Sequence, residues 1–157
     1  MKLIDGLWGG AIAGAAGTTA LDAATYLDMA ARGRPTSSTP EETVEKLAER
    51  ASLEIPGVGE TRQNRISGLG ALNGIASGIS VGMVLGVLRG LGWRPGLLVT
   101  GLLASAGAMG STNGVMSALG VTDPSGWSAG DWVSEVIPHM AYGFVTAAAL
   151  QAMSGPV

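Results

Sequence analysis

The stretch Gly70–Gly90, GALNGIASGISVGMVLGVLRG, carries a glycine at every fourth position: Gly70, Gly74, Gly78, Gly82, Gly86 and Gly90. Residues four apart stack on one face of an α-helix, so this spacing draws a stripe without side chains down its length. In a water-soluble helix each glycine costs about 1 kcal/mol relative to alanine, and five or six such costs unfold an isolated helix. In a bilayer the backbone has no water to bond instead. The helix persists there, and the bare stripe lets a second backbone come close. The stretch predicts a membrane-spanning helix in a bundle packed by a glycine zipper.

Composition points the same way. Of 157 residues, 46% are hydrophobic and only 13% charged, about half the charged share of a soluble domain. The mean hydropathy of +0.36 is modest because 26 glycines score weakly. Phe144 is the only phenylalanine, so a soluble core of large side chains is poorly supplied. The net charge of −3 and the lack of a basic run argue against nucleic acid. Cysteine is missing, which removes disulfides, Fe–S clusters and thiolate metal sites. With one histidine, zinc and haem sites lack ligands, so no metal and no cofactor are expected. No nucleophile elbow or phosphate loop appears, and the reading is not an enzyme. Arginine exceeds lysine amid abundant alanine and glycine, which suggests a GC-rich bacterial genome and a multi-pass protein of the cytoplasmic (inner) membrane.

Four stretches are long enough to cross about 30 Å of hydrocarbon. They run over about 7–31, 66–88, 97–119 and 132–153, in one membrane domain covering 1–157. The first follows Lys2 and continues too far to be a cleaved leader, so it reads as a retained span. Arg32-Gly33-Arg34-Pro35 ends it, Gly92 to Gly96 turns tightly between the second and third, and Asp123-Pro124 lies between the third and fourth. Such short connections predict antiparallel neighbours. Trp8 and Trp93 fall at one interface, and Trp127 and Trp132 at the other. The polar segment 35–65 holds a helix start at Thr39-Pro40-Glu41-Glu42, with Thr39 as N-cap. Val44, Leu47, Ala48 and Ala51 then form the apolar stripe of a short amphipathic helix, lying on the membrane or capping the bundle. The basic residues around this loop place it in the cytoplasm, whereas Arg89 and Arg94 on the second turn pull the opposite way.

Ionisable groups inside a membrane are expensive, so the few present are candidate functional residues. Asp22 continues a first-span face made by Gly6, Gly10, Gly14 and Thr18. Asn73 and Ser77 flank the second-span glycine face. In the fourth span Ser128 and Asp131 form a capping box, and Glu135 and His139 stand four apart, with Tyr142 three residues on. Pro138 removes a backbone bond to Ser134 beside them. Glu135 and His139 are expected to face the bundle interior opposite the first or second span, with Asp22 as the remote acid. A Glu–His pair in low dielectric can exchange a proton near neutral pH.

The segment from Gly96 to Gly143 resembles the last two spans of the YagU-like family of bacterial inner-membrane proteins. The residues that carry this are Gly96-Leu97-Leu98, Leu119-Gly120-Val121-Thr122 with Pro124, and Trp132-Val133-Ser134-Glu135 followed by His139. The chain is also similar to uncharacterised four-span membrane proteins of actinobacteria through Ala16-Gly17-Thr18-Thr19-Ala20-Leu21 and Tyr26-Leu27-Asp28-Met29. Neither family brings a known reaction. The first implies an N-terminus inside the cell and marks Glu135 and His139.

Two functions follow from these readings. One is an accessory or structural subunit, self-assembling or docked on a larger membrane complex. The other is a channel or transporter for ions, protons or a small solute, with Asp22, Asn73, Glu135 and His139 as its polar path. The helix-packing glycines Gly6, Gly10, Gly14, Gly70, Gly74, Gly78, Gly82 and Gly86 offer more surface than four helices need, so a homo-oligomer is expected. Leucine at Gly78 and Gly82 tests this, with a fall in assembled mass in nanodiscs as the expected result.

Overall fold

The computed structural model describes residues 3–153 as five α-helices and one 3-10 turn, with no strand among them. Lys2 lies outside the described residues. The helices are α1 (Leu3–Arg32), α2 (Thr39–Arg50), α3 (Gly59–Gly90), α4 (Leu97–Leu119) and α5 (Ala129–Met153), with the 3-10 turn at Pro124–Gly126. Of these, α3 and α5 are long and apolar enough to cross a membrane. The four stretches read as spans lie within α1, α3, α4 and α5, of which the two named pass on length and apolarity, and α3 starts seven residues earlier than its apolar stretch. Nothing in Glu60–Arg65 breaks a helix, so the polar residues extend it.

α1 and α3 run antiparallel, and their glycines meet in matched pairs. A Cβ added at Gly6 would lie 2.5 Å from the Gly86 carbonyl oxygen, and one at Gly14 would lie 2.6 Å from that of Gly78. Gly82 faces Gly10 and Gly14 in the same way. No side chain fits there; the two backbones touch. On its other side α1 packs antiparallel to α5, where Gly17 faces Tyr142 and Thr146. α5 in turn packs against α4, with Gly143 against Gly101 and Ser105, and Gly101 against the Phe144 ring. The interior is accordingly built from small residues, among them Ala13, Ala104, Ala108, Ala147, Thr100 and Thr146.

Two expectations about the stripe are corrected. Gly74 meets no atom within 4 Å of an added Cβ, so it packs nothing. Gly70 meets Pro40 of α2 rather than another long helix. The reason is that glycine-to-glycine contact between α1 and α3 stops at Gly78, and spacing alone does not register where a partner helix offers larger residues. Gly78 and Gly82 are spent inside the chain on α1, so they are not a free surface for assembly.

Local signals set the helix ends. The α2 N-cap is Ser38, not Thr39, and its hydroxyl bonds Glu42 Oε1 at 2.6 Å. α2 then lies against the N-terminal part of α3, burying Thr43 and Val44, with Glu45 paired to Arg62 at 2.6 Å and Ser67 donating to Glu41. Leu47 stays half exposed. Arg50 reaches the carbonyl of Ala118 and ties α2 to the end of α4. Gly120 ends α4 in the left-handed conformation at φ 73°, which glycine adopts without a Cβ penalty. The Ser128–Asp131 capping box forms as expected, with Ser128 N–H donating to Asp131 at 2.9 Å and Asp131 N–H donating to Ser128 Oγ at 3.2 Å. Trp127 and Trp132 meet edge to face at 4.9 Å.

Gly82→Leu or Gly10→Leu forces the touching backbones apart. Overpacking a core costs about 1–3 kcal/mol and more where backbone is the obstacle, so each is expected to abolish the monodisperse peak in detergent chromatography. Gly74→Leu and Gly114→Leu, with open space at both positions, should run like the parent chain.

Candidate functional site

The Glu135 side chain of α5 meets α4, not α1 or α3. Asn113 Nδ2 donates to Glu135 Oε1 at 2.8 Å. His139 Nδ1 lies 3.4 Å from the same carboxylate oxygen and 2.8 Å from the Glu135 backbone carbonyl. A carbonyl oxygen only accepts, so the Nδ1 hydrogen of His139 points to it. His139 is 8% exposed, and the Glu135 side chain 27%. Pro138, also buried, leaves the carbonyl of Ser134 without its helical donor in the turn that holds them.

The expected partners are therefore corrected. Asp22 is half-buried on α1, and among the described residues no hydrogen bond or ion pair joins it to Glu135 or His139. Asn73 points outward on α3 and is exposed, so it joins no path with the others. The residue that does complete the cluster is Asn113, which sequence reasoning missed. It stands 22 positions from Glu135 inside a run of glycine, serine and threonine, and nothing local distinguishes it.

Tyr142 has a different role from the pair one turn below it. Its ring is 1% exposed, between Gly17 of α1 and Gly78 of α3, and its hydroxyl donates to the Gly78 carbonyl at 2.6 Å. Thr18, beside it, returns its hydroxyl to the Gly14 carbonyl at 2.9 Å. One phenol thus fastens three helices where they begin to part.

At the end of the bundle carrying α2, charges are paired. Asp28 accepts from Arg32 at 2.6 Å and from Arg34 at 2.5 Å, and Arg32 also donates to the Ser134 hydroxyl of α5. The hydrogen bond to Asp28 raises the Arg32 pKa further. Asp123 accepts from the Ser125 hydroxyl at 2.7 Å and its N–H at 3.0 Å, and these bonds hold its carboxyl below the usual range. No group of three or more His, Asp or Glu side chains that would hold a metal ion is found among the described residues.

Tyr142→Phe keeps the ring and deletes the bond to Gly78. A hydrogen bond of this kind is worth about 0.5–1.5 kcal/mol net, so the melting temperature in detergent should fall measurably. Tyr26→Phe, at an exposed tyrosine, should leave it unchanged.

No protein-family model, curated protein or solved structure matches the chain.

Proposed function

We propose that the chain is a four-span protein of the bacterial inner membrane that serves as an accessory or structural subunit, with no through path of its own. What supports the membrane reading is the placement of large side chains. Trp8 and Ile12 of α1, Leu72 and Val84 of α3, Leu98 of α4 and Ile137 of α5 are all at least 57% exposed, while glycine, alanine and threonine fill the interior. A water-soluble bundle reverses that arrangement, since burying large apolar side chains is its main driving force.

The observation that carries the subunit reading is the closed half of the bundle. There α1 and α3 touch backbone to backbone, and Tyr142 fills the junction of three helices. A continuous polar path has no room to pass, and Asp22 and Asn73 do not line one. Docking onto itself or onto a larger complex then uses outer faces, where Gly74, Gly110 and Gly114 stand open. A transport role is the second reading, favoured by the Asn113–Glu135–His139 cluster.

Carbonate extraction should leave the protein in the membrane pellet, and it should need detergent to stay monodisperse. Purified gently from native membrane, it should carry stoichiometric partners or further copies of itself. Reconstituted alone in vesicles, it should leave proton and potassium flux at background; a flux lost in Glu135→Gln would instead establish the transport reading.

A further inference from the structure

The fold leaves Asn73 without a role. It is exposed on the outer face of α3, and no hydrogen bond among the described residues reaches its side chain. At 100° per residue it stands about half a turn round the helix from Gly82, which touches α1. Leu69, Ala76, Ser80 and Val84 lie within about 60° of it on the same outer face, and all four are exposed. Every residue from Ala71 to Ala76 is exposed, so no other helix of the chain covers the amide. Ser80 differs, because its hydroxyl donates to the Ala76 carbonyl of its own helix at 2.7 Å.

Membrane placement makes the amide a demand. Asn73 follows Ile66 by seven residues, which puts it about 10 Å into the apolar stretch. A primary amide carries two N–H donors and a carbonyl acceptor, and hydrocarbon offers no partner for either. Lysine and arginine escape such a position by long stems, but asparagine has a single methylene. Its partner must therefore present a donor and an acceptor at the same depth. A second copy of this chain does so by symmetry. Copies inserted in one orientation hold Asn73 at one level, and a twofold axis along the membrane normal sets the two amides face to face. Residues 66–88 contain no charged side chain, so like charges do not oppose the approach. Ala76 and Ser80 are small, and the spacing Leu69, Asn73, Ala76, Ser80 is that of a two-helix seam.

We propose that α3 pairs with α3 of a second copy across this face, in a twofold dimer held by a reciprocal hydrogen bond between the two Asn73 amides. The inference rests on the membrane and subunit readings and names the partner.

The sequence has no cysteine, so a single introduced one reports alone. The full chain carrying Ala76→Cys is reconstituted in phosphatidylcholine vesicles and oxidised with copper phenanthroline while added lipid dilutes it. Disulfide-linked dimer is expected, falling with dilution. Ile12→Cys, on the outer face of α1, should give only monomer. Adding Asn73→Leu to Ala76→Cys keeps the size and removes the amide, and should need about tenfold more protein per lipid for the same yield. Asn73→Gln keeps donor and acceptor and should stay close to the parent; Asn73→Ala replaces the leucine variant if that one misfolds. No dimer from Ala76→Cys, an undiminished yield without the amide, or equal crosslinking from Ile12→Cys overturns the proposal. A different polypeptide that copurifies from native membrane and is lost in Asn73→Leu assigns the face to that partner and overturns the dimer. Carbonate extraction separates the two readings: a chain retained in the pellet but monomeric overturns only the dimer, and a chain released from it overturns both.

Discussion

Everything else in this chain depends on the direct contact between the backbones of α1 and α3. Gly6, Gly10 and Gly14 interlock with Gly86, Gly82 and Gly78, and neither helix leaves space for a methyl group. Contact at that distance gains dispersion along the whole seam and brings Cα–H groups near carbonyl oxygens. It also costs each helix the rigidity that side chains would give. Such a seam is favourable where lipid already holds the helices in shape, because their backbone bonds have no competitor there. The seam fixes the rest by geometry: two helices this close leave room at one end for the third, α5, to place Tyr142 between Gly17 and Gly78.

The seam also explains why the molecule is asymmetric along its length. Glycine continues past Gly78 on α3, but α1 offers Thr18, Leu21 and Asp22 where it had offered glycine. Two helices that meet through bulkier residues stand further apart. The bundle consequently changes character at Tyr142, from a closed half whose buried polar groups include Thr100, Ser105 and Thr146 to an open half that holds Glu135 and His139. α2 and the paired charges of Asp28, Arg32 and Arg34 lie at the open end.

How legible this was in the sequence differs from residue to residue. The α4 boundaries, Leu97 and Leu119, were readable because Pro95-Gly96 and Gly120 act through local backbone chemistry. The capping box at Ser128 was readable for the same reason. The start of α3 was not, because hydropathy marks only the apolar part of a helix and Glu60–Arg65 continue it in polar residues. The glycine stripe was legible as a packing surface but not in its allocation. Gly70, Gly74 and Gly82 are equivalent by spacing, yet one meets a proline of α2, one meets nothing and one meets α1.

The candidate site shows the same limit more sharply. Glu135 and His139 share a helix, so their proximity follows from the 3.6-residue period. Which helix faces them depends on the order of packing around the bundle, and that order is set elsewhere, by the α1–α3 seam. Because the seam commits α1 to α3 on one side and to Gly143's neighbours on the other only through α5, the polar end of α5 is turned toward α4. Asn113 thereby becomes the partner of Glu135, and Asp22 is left on the far flank of α1. A single asparagine 22 positions before Glu135 carries no periodic signature of that outcome. Its meaning comes from the half-buried carboxylate it bonds, whose lone pairs are matched by donors where the protein limits access to water.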